Sequence, residues 1–164
     1  MALIIEDGTI VVDANSFTTD TELVAFAEAR GKELPATESE RDQLQILAVD
    51  YLTSSEPKMK GSRVSKDQEL CYPRSGVTIN GFAVASDEIP KNLKNAQMEL
   101  AILANSSGLF IDGSSQNIQR EKVDVLEVSY FSGGSWSTVR TDSADTYLKP
   151  LLKLGGSSAI MVRI

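Results

Sequence analysis

The sequence predicts a mainly α fold: a small helical bundle with a β-hairpin insertion and extended N- and C-terminal segments. Three observations lead there. Apolar residues recur at three- and four-residue spacing in several stretches, the pattern of helices that bury one face. Between the last two of these, apolar and polar residues alternate around Ser132-Gly133-Gly134-Ser135, which reads as strand, turn, strand. Both ends of the chain lack helical spacing. At 164 residues one domain is the expectation, and a chain of that size can bury a core without disulfide staples.

The elements follow in order. Residues 1–17 read as an extended arm, with Leu3-Ile4-Ile5 and Ile10-Val11-Val12 separated by the turn signal Asp7-Gly8. The helical part spans 18–105. Asp20 is placed to cap a helix over about 21–30, which carries Leu23, Val24, Phe26 and Ala27 and stops at Gly31. Thr37-Glu38-Ser39-Glu40 fits a capping box, and the helix over about 38–54 has Leu44, Leu47, Ala48, Tyr51 and Leu52 on one stripe before Glu56-Pro57 ends it. A basic loop and a short helix over Lys66–Leu70 come next. Val77 to Val84 is a tight hairpin turning at Asn80-Gly81, residues that tolerate positive φ. Ser86 to Pro90 opens a helix that runs to about 105, with Ile89, Leu93, Ala96, Leu100 and Leu103 on one face.

A polar loop leads to a hairpin over 118–141. Val123, Val125, Val128 and Tyr130 alternate with polar residues, a phase slip at Leu126 suggests a bulge, and Trp136–Thr141 is the return strand. Ser143 is placed to cap a helix over 143–154 with Ala144, Tyr147, Leu148, Leu151 and Leu152, kinked or divided at Pro150. Gly155-Gly156-Ser157-Ser158 joins this to an apolar extended tail, within the C-terminal segment 155–164.

Composition narrows the chemistry. The chain has 16 basic and 23 acidic side chains, a net charge of −7, no histidine and one cysteine. Without histidine there is no Ser-His-Asp triad, no Cys-His dyad and no histidine-held zinc. A lone cysteine excludes an internal disulfide and a cysteine-rich metal site, and Cys71 reads as a buried thiol. No phosphate-binding glycine loop occurs, and Asp112–Asn117 lacks the spacing and closing glutamate of a calcium loop. Carboxylate pairs such as Asp87/Glu88 and Asp124/Glu127 carry no weight without a burial-shifted pKa. No catalytic residue, cofactor or metal is assigned, and no enzyme activity is expected. The opening Met1–Asp7 has no basic region, so no signal peptide is expected, and no apolar run is long enough for a membrane span.

Charge is uneven. Residues 1–56 hold twelve acids and three bases. The densest basic stretch, Lys58, Lys60, Arg63, Lys66 and Arg74, reads either as a solvated loop or as a small nucleic-acid patch. Tyr130 and Trp136 read as a cross-strand aromatic pair or as stacking residues. Two features suggest assembly. The tail Ala159, Ile160, Met161, Val162, Arg163 and Ile164 reads as a strand that needs an edge, either in its own sheet or on a partner. The apolar residues of the 122–140 hairpin, Val123, Val125, Val128, Tyr130 and Trp136, exceed what a small bundle covers.

Several blocks resemble a known family: Met1–Gly8 with Ala14-Asn15-Ser16-Phe17, Ala48–Leu52, Lys60–Arg63, Glu69–Val77, Asp87–Pro90 with Ala96–Ala101, and Arg120–Val123. Together they resemble the head–tail connector proteins of tailed bacteriophages, also called adaptor or head-completion proteins, which also carry the name DnaT-like single-stranded DNA-binding protein. Tyr72 stands where relatives carry tryptophan, which keeps the aromatic anchor. The resemblance implies a virion protein at the head–tail interface, made in the host bacterial cytoplasm. It implies a homo-oligomeric ring, a dodecamer, between the portal protein and the next tail-completion or tail-terminator protein. Genomic DNA would pass through its lumen without specific binding, and no membrane is involved. On this expectation the tail docks on the portal, the hairpin meets neighbouring subunits, and some of the N-terminal acids line the lumen. The alternative is a single-stranded DNA-binding accessory of replication, acting through the 58–74 cluster.

Overall fold

The computed structural model describes residues 2–107, Leu109, 120–123, 126–129 and 141–153. The fold is mainly α, as expected, with four helices and short antiparallel strand pairs among the described residues. Helix α3 (Lys91–Ser107) is its axis and packs against α2 (Glu38–Ser54), α4 (Asp142–Leu148) and α1 (Asp20–Glu28). Leu93, Ala96 and Leu100 are buried on the expected stripe, and Gln97, Met98, Ala101 and Ile102 widen it. The Pro90 carbonyl accepts from the N–H groups of Leu93 and Lys94. Proline therefore opens the helix where no N–H is needed.

The cap of α1 is Thr19, one residue before the expected Asp20. The Thr19 hydroxyl accepts from the Glu22 N–H at 3.2 Å, and the Glu22 carboxylate accepts from the Thr19 N–H at 2.8 Å. This closed capping box leaves Asp20 free to accept both arms of Arg41, at 2.6 and 2.7 Å, tying α1 to α2. At the start of α2 the expected box does not form. The Thr37 hydroxyl donates to the Glu40 carboxylate at 2.5 Å and caps no backbone N–H. The buried face of α2 is also rotated from the expected stripe. Leu47 is 41% exposed, whereas Gln45 is fully buried beside Ala48, Val49 and Leu52.

Gln45 is buried because the N-terminal segment needs polar partners. Its Oε1 accepts from the Thr18 hydroxyl at 2.7 Å. On α3, Gln97 accepts from the Phe17 N–H at 2.9 Å and donates to the Ser16 hydroxyl at 2.7 Å. The segment before them is no extended arm. Glu6 is 1% exposed, and its carboxylate accepts backbone N–H groups from Gly8, Ile10 and Val11 at 2.8, 3.0 and 2.9 Å. A buried carboxylate must be hydrogen-bonded, so the chain curls around it, with Ile10 at φ 64° and Gly8 at φ 109°. A Cβ at Gly8 would overlap the backbone carbonyl of Asp87, so only glycine permits this approach.

Residues 56–84 carry the next departures. A 3-10 turn, Glu56–Lys58, follows α2. Strands β1 (Ser62–Arg63) and β2 (Arg74–Ser75) pair antiparallel with Arg63 opposite Arg74. Like charges placed opposite one another repel, and Glu56 resolves this. Its carboxylate accepts two bonds from Arg63, at 2.6 and 2.7 Å, and one from Arg74 at 3.0 Å. Arg74 also donates to the carbonyls of Lys60, Gly61 and Cys71. The hydrogen bonds from Arg63, followed by the nearby positive charge of both arginines, hold the Glu56 carboxyl below its ordinary pKa despite partial burial. The short helix expected at 66–70 is absent. Gln68, buried, accepts from the Val64 and Ser65 N–H groups and donates to the Leu70 and Pro73 carbonyls, so its side chain takes the bonds a helical turn would make. The Tyr72–Pro73 peptide is cis. The hairpin of β3 (Thr78–Ile79) and β4 (Phe82–Ala83) forms as expected, with Asn80 and Gly81 both at positive φ.

Strands β5 (Arg120–Val123) and β6 (Leu126–Ser129) pair with Val123 opposite Leu126. Leu126 therefore opens a second strand and is not a bulge in one strand running on to Tyr130. Of the expected return strand Trp136–Thr141, residues 136–140 lie outside the described residues, and Thr141 stands at the N-cap position of α4 in place of Ser143. Val125, Tyr130, Trp136 and the tail 159–164 lie outside the described residues, as do the side chains of Val123 and Val128. Pro150 divides the last helix as expected, and α4 passes into a 3-10 turn at Lys149–Leu151. One cluster of buried apolar residues, from Ala14 to Leu151, joins these elements.

Replacing Gln97 with leucine strands the Phe17 N–H in the core, while the Ser16 hydroxyl keeps its bonds to Thr18. It is expected to cost about 1–3 kcal/mol, read as a lower urea midpoint at unchanged slope. Glu56 supplies a pH test. A depressed folded-state pKa contributes stability that is present above the unfolded value and is lost as pH falls through the folded one. The stability gap between the native chain and Glu56→Gln is therefore expected to be full at pH 7 and to shrink below about pH 4.5 in pH-dependent urea melts.

Candidate nucleic-acid interface

The expected basic patch is only partly a surface. Arg74 has a side chain 7% exposed, and Arg63 is held on the same carboxylate. Both arginines serve the Glu56 clamp and leave the candidate site, since burial requires them to be paired. Lys66 is exposed on the 64–70 loop and forms no ion pair among the described residues. Lys58 and Lys60 remain, and the structure adds two lysines to them from the far end of the chain.

Met59 and Leu152 form an antiparallel bridge. The Lys60 N–H donates to the Leu151 carbonyl and the Lys153 N–H to the Lys58 carbonyl, each at 2.8 Å. Met59 is fully buried on the inner side, while Lys58 and Lys153 stand opposite one another and are exposed. Lys149, also exposed, begins the 3-10 turn that leads into this bridge. Lys60 is half-buried, and its ammonium donates to the carbonyls of Pro150 and Thr78 at 2.8 and 3.2 Å. An ammonium has three donors, so one is left for a ligand.

The electrostatics are one-sided. Among the described residues, none of Lys58, Lys60, Lys149 and Lys153 has a carboxylate within 4.0 Å. Two lysines opposite each other across a bridge are mutually repulsive, and the nearest clamp holds one carboxylate against two arginines. Lys149 also ends α4, where a cation complements the helix dipole. Sequence reading missed Lys149 and Lys153 because they lie about 90 residues from Lys58 and Lys60, and no local signal announces a single long-range bridge.

Several acids of the N-terminal third are engaged within the fold, while Asp13, Glu28, Glu33, Glu38 and Asp50 are exposed. Glu6 holds backbone N–H groups, Asp20 holds Arg41, Glu22 caps α1 and meets Lys94 at 3.3 Å, and Glu56 holds two arginines. A cleft of about 470 Å3 between the N-terminal loop and residues 85–89 is lined by Glu6, Asp7, Asp87 and Glu88, with Lys94 at its edge. Cys71 is buried, and burial pushes its thiol up to about 12, so no thiolate is present at neutral pH. Among the described residues no cluster of acids and cysteine is arranged to hold a metal ion, and no helix is long and apolar enough to cross a membrane.

Comparison with known proteins agrees with a nucleic-acid reading. The family model described as "Putative DnaT-like ssDNA binding protein" matches residues 1–164. No curated protein and no solved structure matches the chain. The whole-length match corrects the expectation of a portal-binding ring connector in the virion and favours the DNA-binding alternative. Matched from its first residue to its last, the chain belongs to the family of DnaT-like ssDNA binding proteins.

Proposed function

We propose that this protein binds single-stranded DNA as an accessory of replication, through the lysine cluster Lys58, Lys60, Lys149 and Lys153. The family match over residues 1–164 carries the reading. The cluster supports it physically, since it is the place among the described residues where several cations converge without carboxylate partners. A lysine that neutralises a phosphate releases condensed counterions, and this drives association in a salt-dependent way. The net charge of −7 opposes long-range attraction of DNA. Binding therefore depends on the local cluster, and its affinity falls steeply with salt.

The mechanism contains no bond-making step. The bridge at Met59–Leu152 fixes the backbone of both lysine-bearing segments, and the Lys60 ammonium is already oriented by two carbonyls. Lysines held in place lose less side-chain entropy when they meet a phosphate. The exposed side chains of Lys58 and Lys149, and that of Lys153, whose ammonium donates to the Pro57 carbonyl at 3.4 Å, can follow a single strand, whose backbone is less regular than that of a duplex.

The test is fluorescence anisotropy of a labelled oligothymidylate across a salt series. The native chain is expected to bind at low salt, and the Lys58→Gln/Lys153→Gln double variant to bind more weakly. The log–log salt slope is expected to be shallower by about 1.4 in the double variant, about 0.7 for each lost phosphate contact on a single strand. Both side chains are exposed, so the fold is expected to survive. No binding at low salt by the native chain, or a slope that the double variant leaves unchanged, overturns the reading.

A further inference from the structure

We infer that Phe82 is a base-stacking residue, and that the β3–β4 hairpin presents it to a strand held by the lysine cluster; this rests on the single-stranded DNA reading above. Phe82 is 79% exposed, the most exposed large apolar side chain among the described residues. A ring this open to solvent is accessible to a flat apolar partner such as a base. Its surroundings are shaped for display. Asn80 at φ 52° and Gly81 at φ 87° form the two-residue turn, and Phe82 follows immediately, directly opposite Ile79. Ile79 is half-buried and packs against the core, which anchors one strand of the hairpin while the other stays in solvent. The Val84 N–H donates to the Val77 carbonyl at 3.0 Å and closes the base of the hairpin.

The hairpin is also joined to the cations. Strand β3 contacts the 3-10 turn Lys149–Leu151. The Lys60 ammonium ties the Thr78 carbonyl of β3 to the Pro150 carbonyl of that turn, at 3.2 and 2.8 Å. One lysine thus links the aromatic element to the segment that carries Lys149 and Lys153. Cations that track a phosphate backbone beside an exposed aromatic ring are what an unpaired strand requires, because its bases are free to stack. A duplex, with its bases already stacked, has no use for the ring. The charge beside it selects a polyanion over an apolar protein groove as the occupant.

The experiment compares the native chain, Phe82→Ala, Phe82→Trp and Lys58→Gln/Lys153→Gln in the same oligothymidylate titration, with sedimentation of each free protein. Phe82→Ala is expected to weaken binding about 5- to 150-fold while leaving the salt slope unchanged, because stacking releases no counterions. Phe82→Trp is expected to restore or exceed native affinity. If the lysine variant weakens binding and Phe82→Ala does not, stacking at Phe82 is wrong and the DNA-binding reading stands. If the native chain binds no oligothymidylate, both fail. If Phe82→Ala abolishes self-association and leaves DNA affinity intact, the ring belongs to an interface between copies of this chain, and the inference is wrong.

Discussion

The Glu56 carboxylate governs how the middle of this molecule folds. It lies just beyond α2 and accepts from two arginines that face each other across the β1–β2 pair. Without it that pair would set two guanidinium groups side by side in a partly buried site, at a cost that no short strand repays. With it, the loop from Ser62 to Ser75 closes, and Arg74 can hold the carbonyls of Lys60 and Gly61. Those carbonyls belong to the segment that meets residues 151–153. The clamp therefore sets the position of Lys58 and Lys60 and, through the bridge, that of Lys153.

Charge in this chain is divided between work inside the fold and work at the surface. Glu6, Asp20 and Glu56 each satisfy several donors, and Arg41, Arg63 and Arg74 answer two of them. Arginine suits these places because its planar fork reaches a carboxylate and carbonyls at once. The lysines left at the surface are compact charges on flexible stems, better suited to an irregular phosphate backbone than to a fixed internal clamp. The fold thus divides the five bases of the 58–74 stretch: Arg63 and Arg74 onto Glu56, Lys58 and Lys66 out to solvent, and Lys60 half-buried on two carbonyls.

The N-terminal segment shows the same logic in polar form. Gln45 and Gln97, on two different helices, receive Thr18, Phe17 and Ser16. Gln97 uses both ends of its amide and Gln45 its Oε1 alone, and these directed bonds fix the docking of the segment more narrowly than apolar contacts would. The Glu6 loop and the close approach of Gly8 to the Asp87 backbone then hold the start of the chain against the entry to α3. Gly8 and Ile10 lie at positive φ because the Glu6 carboxylate gathers the N–H groups of Gly8, Ile10 and Val11, not because of local propensity.

The sequence alone determined what short-range periodicity and turn chemistry can express. Helical spacing marked α1 to α4 within a few residues, Asn80-Gly81 marked its hairpin, and Pro90 and Pro150 marked a start and a division. These are local rules, read within one or two turns of chain. Cap residues slipped by one or two positions because several Thr, Ser and Asp residues compete and only packing chooses between them. Glutamines in the core were invisible, since composition places them outside. The basic stretch was legible as charge, but not which of its members face water. Only the tertiary structure turned Arg63 and Arg74 inward onto Glu56 and brought Lys149 and Lys153 beside Lys58 and Lys60. The physical reason is range: a hydrogen-bonded bridge between residues 59 and 152 depends on the packing of everything between them, and no window of neighbouring residues contains it.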